Sequence, residues 1–142
     1  MSDPSSPPGG APPRVLIADD DPDVRAVLSA QLTHSGFDVV ATAADTDEAI
    51  ALAGEHHADI AIVDVQMPGG GGVRATQEIR ATAPRTAIVA LSAGESGRVV
   101  LEMLTAGAVT YIRKGVGADE LAALLRESLR AGARLPGRDG DA

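Results

Sequence analysis

Ile60-Ala61-Ile62-Val63-Asp64-Val65-Gln66-Met67-Pro68 is the stretch that decides the fold. Four aliphatic residues run without a polar break and end in one carboxylate. A strand buried on both faces reads this way, because neither side of its pleat meets water. Met67-Pro68 and the four glycines Gly69 to Gly72 then stop the strand and open a loop. The acid is therefore delivered to a sheet edge. Towards the N-terminus, Val15-Leu16-Ile17-Ala18 repeats the pattern and ends in Asp19-Asp20. Open α/β sheets hold their ligands outside the carboxyl ends of parallel strands. Three acids carried there make a cation pocket, and a carboxylate beside a dication can accept a phosphoryl group.

Strands and helices alternate outward from these two runs. Strands are expected at Arg14–Asp19, Phe37–Ala41, Asp59–Asp64, Thr86–Leu91 and Ala108–Arg113. Asp21-Pro22 reads as an N-cap followed by proline at the first helical position. Val24, Val27, Leu28 and Leu32 follow at helical spacing, and Gly36 fits a stop. Asp45 with Glu48 resembles a capping box ahead of Ala49, Ile50 and Ala53. A third helix from about Gly72 ends before Pro84. A fourth carries Val99, Val100, Met103 and Leu104 up to Gly107. The last has Leu121, Leu124, Leu125 and Leu129 on one face. Five βα units with apolar strands predict a parallel sheet covered on both sides, and right-handed crossovers make it doubly wound. Residues 1–13 and 133–142, rich in Pro, Gly and small polar residues, read as flexible tails around a folded unit at 14–132.

Composition narrows the chemistry. The chain has 142 residues, 44% of them hydrophobic, which suits one domain with a real core. Phe37 and Tyr111 are its only aromatics, so the core must come from aliphatic residues and alanine. There is no Cys, which excludes disulfides and thiol sites. No apolar stretch has the length of a membrane span, and the first residues lack a basic segment followed by an apolar one. A cytoplasmic location, away from membranes, is expected. The net charge of −8 argues against direct nucleic-acid binding. Residues 1–71 hold 12 acids and 2 bases, whereas residues 72–142 hold 8 acids and 10 bases. The acid excess lies with the cation pocket. Of the 12 basic residues 11 are Arg, and Lys114 stands alone, which points to a place needing a compact ammonium. Arg126, Arg130, Arg134 and Arg138 recur every fourth residue, as a solvated basic stripe or a dock for an acidic partner.

Four strand ends carry distinctive side chains: Asp19 and Asp20, then Asp64, then Ser92, then Lys114. On adjacent parallel strands all five converge. Clustered carboxylates repel one another and would repel phosphate, so they need a hard dication. An all-oxygen donor set suits Mg²⁺. A lysine and a hydroxyl opposite it can hold phosphoryl oxygens, and phosphoryl transfer is mostly positioning and charge neutralisation.

Through Val15-Leu16-Ile17-Ala18-Asp19-Asp20-Asp21-Pro22, Asp64-Val65-Gln66-Met67-Pro68, Ala90-Leu91-Ser92-Ala93 and Gly107-Ala108-Val109-Thr110-Tyr111-Ile112-Arg113-Lys114, the chain resembles the receiver domain of two-component response regulators. The segments span nearly the whole folded unit in the family's order. The resemblance implies a flavodoxin-like (βα)5 fold with strand order 2-1-3-4-5. It implies that Asp64 accepts a phosphoryl group from a histidine kinase or phosphotransfer protein. Asp19 and Asp20 would hold Mg²⁺ with Asp64 and the backbone carbonyl of Gln66. Ser92 and Lys114 would bind the phosphoryl group, and Tyr111 would turn inward as Ser92 moves. The face of the fourth helix, fifth strand and fifth helix would then change partners, with a downstream output protein or as a homodimer.

Two positions depart from the family's pattern. Gly71 stands where Asp or Ser is frequent, which removes a helix cap and predicts a mobile glycine loop. Gly115 stands where Pro commonly follows the lysine, which leaves the isomer of that peptide open. The expected role is a stand-alone phosphoacceptor that assists its own phosphorylation and dephosphorylation, not an enzyme acting on other substrates. Two alternatives remain. One is a receiver-like binding module that works without phosphorylation. The other is a phosphohydrolase of the haloacid dehalogenase type with Asp19 as nucleophile.

Overall fold

A computed structural model describes residues 11–133. Ten elements alternate along it: β1 (Arg14–Ala18), α1 (Pro22–His34), β2 (Asp38–Ala43), α2 (Thr46–His56), β3 (Ile60–Asp64), α3 (Gly71–Thr82), β4 (Ala87–Ser92), α4 (Gly97–Ala106), β5 (Thr110–Arg113) and α5 (Ala118–Ala133). The five strands form one parallel sheet in the order β2-β1-β3-β4-β5. This is the doubly wound arrangement expected from the alternation. The tails expected at 1–13 and 133–142 lie almost wholly outside the described residues.

Side chains divide by the two-residue period of the strands. Val15, Ile17, Ile60, Ile62, Val89, Leu91 and Ile112 point one way and pack with Leu28, Leu32, Leu121 and Leu125 of α1 and α5. Leu16, Ala18, Ala61, Val63, Ile88 and Ala90 point the other way, against Ala49, Ala53, Ala75, Ile79 and Met103 of α2, α3 and α4. The second layer is rich in alanine. β3 and β4 are buried along their whole length, as their uninterrupted apolar runs demand.

Local signals place most boundaries. Asp21 caps α1 by accepting from the Asp23 amide at 2.8 Å, with Pro22 opening the helix. Asp45 caps α2 through the Glu48 amide, while the Glu48 carboxylate reaches back to the Ala44 amide, both at 2.8 Å. This is a capping box displaced by one residue at its return arm. β2 runs later than its sequence suggests because its register against β1 shifts between Val15 and Leu16. β5 is short, starting at Thr110, although the Val109 amide already donates to the Ile88 carbonyl of β4 at 2.8 Å. Val27, placed on the inner face of α1 by spacing, is 57% exposed, and Leu28 and Leu32 alone bury fully there.

Candidate functional site

The ladder carries the acids to one place. Ala18 pairs with Val63, so Asp19 and Asp64 are the next partners along β1 and β3. Asp19 continues the row of Val15 and Ile17, and Asp64 that of Ile60 and Ile62. Both therefore emerge on the α1–α5 side of the sheet. Lys114 continues the row of Ile112 on β5, and its amide still donates to the Ser92 carbonyl at 2.8 Å. The strand ends thus fix the backbone of every one of these residues.

Each buried aspartate is oriented by the chain that follows it. Asp19 Oδ1 accepts from the Asp21 amide at 2.8 Å, and Asp64 Oδ1 from the Gln66 amide at 3.2 Å. Asp and Asn readily make this turn two residues on. It leaves both Oδ2 atoms facing the pocket. The Lys114 ammonium lies between them, 3.0 Å from Asp19 Oδ2 and 3.2 Å from Asp64 Oδ2. Carboxylate oxygens of Asp19, Asp20 and Asp64 all lie within 4.8 Å of one another. Asp19 and Asp64 are buried, whereas Asp20 is exposed and opens the cluster to solvent.

Charge balance here is uneven. Burial is the main force on Asp64, pushing its pKa up to about 6 from 3.8. The Gln66 amide pulls it down, Asp19 pushes it up, and Lys114 pulls it down again. Burial also works against the Lys114 charge, but the two carboxylates outweigh it and hold the ammonium above its usual 10.5. One cation thus serves two buried anions, and Asp19 Oδ2 has only that shared ammonium as its partner. Hard oxygens, two buried carboxylates sharing one ammonium and an exposed third carboxylate fit a small dication bound through oxygen.

The loop after β3 is held more firmly than its glycines suggest. Gly69, Gly70 and Gly71 have φ of +96°, +115° and +80°, where other residues are strained. The loop is tied to α2 by Thr46, whose amide donates to the Pro68 carbonyl at 3.0 Å and whose hydroxyl donates to the Gly71 carbonyl at 3.1 Å. Arg74 Nη1 adds bonds to the Gly69 carbonyl and the Asp47 carboxylate. Instead of a free loop, the structure has a clamped one. As expected from Gly71, α3 starts without a side-chain cap, at Gly70. Gly72 is needed for another reason. A Cβ there would collide with the Asp64 carbonyl and sit 2.9 Å from Val65 Cα. Helix α3 can back onto the strand end that holds Asp64 only through a residue without a side chain.

Ser92 ends β4 on the other row, that of Ile88 and Ala90. Its hydroxyl donates to Glu95 Oε1 at 2.9 Å and accepts from the Gly94 amide at 3.1 Å. Glu95 Oε1 also accepts from the Ala93 amide at 2.7 Å. Burial disfavours the Glu95 charge, but the surrounding backbone amides and the Ser92 hydroxyl keep its pKa below the usual value. Tyr111 faces outward, 47% exposed, in an open groove with Ser92, Glu95, Leu101, Leu104 and Arg113.

Sequence reasoning missed Glu95 and two supports of Asp19 and the loop: Arg25, which donates to the Asp19 carbonyl at 2.7 Å, and Thr46. Glu95 sits three residues past Ser92 in a Gly-flanked turn, a spacing that would have drawn notice had the turn been read. The arginine stripe does not survive intact. Arg126 turns onto the Phe37 ring, 4.7 Å from its centroid, and donates to the Ser35 carbonyl. Arg134 and Arg138 lie outside the described residues. The Lys114–Gly115 peptide is trans, with Gly115 at φ +91°.

The family profile of the response regulator receiver domain matches residues 15–126. A protein-glutamate methylesterase/protein-glutamine glutaminase of Haloarcula marismortui is 41% identical over 106 residues, covering 73% of this chain and 28% of that protein. The transcriptional regulatory protein YxjL of Bacillus subtilis is 39% identical over 127 residues, covering 85% of this chain and 54% of that protein. The chain therefore spans between about a quarter and somewhat over half of the length of these relatives. Among solved structures, the receiver domain of a sensor histidine kinase from Pseudomonas aeruginosa PAO1 superposes with a TM-score of 0.76 at 30% identity. The match covers 84% of this chain and 99% of that one, which has a magnesium ion in its active-site cleft.

Proposed function

This chain belongs to the response regulator receiver domain family, and on that premise we propose that it is a phosphoacceptor switch centred on Asp64. The observation that carries the reading is the pocket itself. Two buried carboxylates and one exposed one meet within 4.8 Å, and a single lysine stands between the buried pair. Asp19, Asp20 and Asp64, with the backbone carbonyl of Gln66, would hold Mg²⁺. When bound, the ion neutralises the acid cluster and the oxygens of an incoming phosphoryl group.

The protein's own groups then have separate tasks. An Asp64 carboxylate oxygen forms the new bond to phosphorus as the bond to the donor's histidine nitrogen breaks. Lys114 offsets the charge that gathers on the phosphoryl oxygens. Ser92 donates a hydrogen bond to them, and its displacement frees space for Tyr111 to turn inward. Phosphorylation adds nearly two negative charges, enough to bias two arrangements of one loop. The groove beside Tyr111 would report the change to a partner or to a second copy of the chain.

Intact mass tests this directly. The protein is incubated with acetyl phosphate with and without Mg²⁺, as wild type and as Asp64→Asn. A phosphate adduct that needs Mg²⁺ and is lost in the variant is the expected result. A folded wild type that gains no adduct, there or with phosphohistidine donors, would leave only the phosphorylation-independent module.

A further inference from the structure

We propose that Glu95 is an internal latch on the switch, holding the Ser92 hydroxyl away from the phosphoryl site until phosphorylation takes it over. The inference rests on the phosphoacceptor reading above. It concerns how readily the switch moves, not whether it is phosphorylated.

Ser92 has one hydroxyl hydrogen. In this structure it goes to Glu95 Oε1 at 2.9 Å, while the Gly94 amide donates to Ser92 Oγ at 3.1 Å. The same Glu95 oxygen is anchored by the Ala93 amide at 2.7 Å. The turn is therefore closed on itself: one carboxylate oxygen collects both the hydroxyl and an amide. A phosphoryl oxygen on Asp64 needs that hydrogen, and a hydroxyl can donate it to only one acceptor. The two acceptors are both anionic, so neither wins by charge type alone. Beyond these two donors the Glu95 carboxylate is held by its own backbone amide and by the charge of Lys114, with no contact into the core among them. Its release frees a loop rather than breaking into the core. Gly94, at φ +103°, lets the chain fold back so that a residue three positions on can reach Ser92.

The latch sets a population. Wild-type protein binds a phosphoryl analogue only after the Ser92–Glu95 bond is broken. A variant without that carboxylate starts with the hydroxyl free, and its apparent affinity rises by the fraction gained.

The test uses beryllofluoride, a stable stand-in for a phosphoryl group, at saturating Mg²⁺. Its Kd is measured by titration calorimetry on wild type, Glu95→Ala, Glu95→Gln, Ser92→Ala and the double variant Glu95→Ala/Ser92→Ala. Glu95→Ala should bind about three- to tenfold tighter than wild type, the size of one ordinary net hydrogen bond. Glu95→Gln, whose amide oxygen still accepts but carries no charge, should fall between them. In the Ser92→Ala background, where no hydroxyl is held, the effect of Glu95→Ala should shrink below about twofold. Equal tightening in both backgrounds would overturn the latch, since Glu95 would then act by repelling the anion. Unchanged or weaker binding by the Glu95 variants, with wild type binding normally, would overturn it too. No binding by a folded wild type would instead remove the phosphoacceptor reading, and the latch with it.

Discussion

The two halves of the sheet edge are built on opposite terms. On the β1–β3 side the buried acids are fixed. Asp19 and Asp64 each have one oxygen held by an amide, Lys114 spans the others, and α3 rests on the strand end through Gly72. Helix α3 buries Ala75, Thr76 and Ile79 beneath that contact. On the β4–β5 side the parts are loosely held. The Ser92 hydroxyl is bonded only within its own turn, α4 begins at Ser96 with no side-chain cap, and Met103 is its single buried residue. Leu101 and Tyr111 stand 61% and 47% exposed. A site that must bind charge needs preformed donors, whereas an element that must move needs few contacts to give up. The molecule separates these demands by strand.

Placing one methyl group on each side would test the contrast most severely. Gly72→Ala drives a Cβ into the Asp64 carbonyl, a backbone atom that cannot turn aside. We expect a loss of about 3 kcal/mol in urea unfolding. Gly94→Ala is also strained by its positive φ, but its Cβ meets only the Arg113 guanidinium at 3.4 Å, a side chain that can swing away. A loss of about 1 kcal/mol is expected there. Equal costs would mean that the β4–α4 turn is as rigid as the acid pocket.

Next in size is the stability that the pocket gives up for its charge. The folded pKa of Asp64, about 6, lies above the ordinary 3.8. The folded protein thus binds this proton more tightly than the unfolded chain does. The contribution of Asp64 to stability is then greatest below pH 3.8 and falls as the pH rises to about 6. Asn cannot ionise. In metal-free buffer with EDTA, Asp64→Asn should match wild type at the acid end and exceed it by about 2 kcal/mol at neutral pH. Urea midpoints taken across that window would show the gap opening. A gap independent of pH, or a less stable variant at neutral pH, would mean that the pocket is not strained by its anions. Lys114→Arg probes the same pocket from the cation. A planar fork must fit where one ammonium sits about 3 Å from two buried oxygens. Stability should fall by about 1 kcal/mol, and the Tyr111 ring resonances should shift less on adding beryllofluoride. A full shift would show that head-group size is irrelevant.

Legibility in the sequence follows the same division. The buried strands β3 and β4 could be read within a residue, because burial on both faces leaves only apolar residues until the chain exits. The residues that exit, Asp64 and Ser92, were therefore visible, as was Asp19 by the same logic. β2 was misplaced because it is an edge strand, with Asp38 and Thr42 in it and a register shift against β1. Gly72 could be seen as a loop glycine but not as the contact between α3 and Asp64, since that depends on how close two backbones come. Glu95 was illegible for a related reason. Its role arises from a turn whose φ at Gly94 folds a carboxylate back three residues, and no hydrophobic period records a turn. The clamp on the glycine loop was hidden too, because Thr46 lies 25 residues from the carbonyl it holds.

The smallest predicted effect is the one that defines the mobile side. Leu101 lies on α4 facing solvent, so Leu101→Ser removes little that the fold buries. Serine lowers helix propensity slightly, and the expected change is within about 0.5 kcal/mol of wild type. A comparable substitution on the neighbouring helix of the same layer, Ile79→Ser in α3, places a hydroxyl in a fully buried position and should cost several times more. The informative result is the ratio. If Leu101→Ser proves as costly as a core substitution at every protein concentration, α4 packs more tightly than its single buried residue implies. If its cost appears only at high concentration, where wild type gains stability and the variant does not, Leu101 is covered by a second copy of the chain. An apolar residue that contributes nothing to the isolated fold is free to be used for contact with a partner, and stability measured against concentration tells these cases apart.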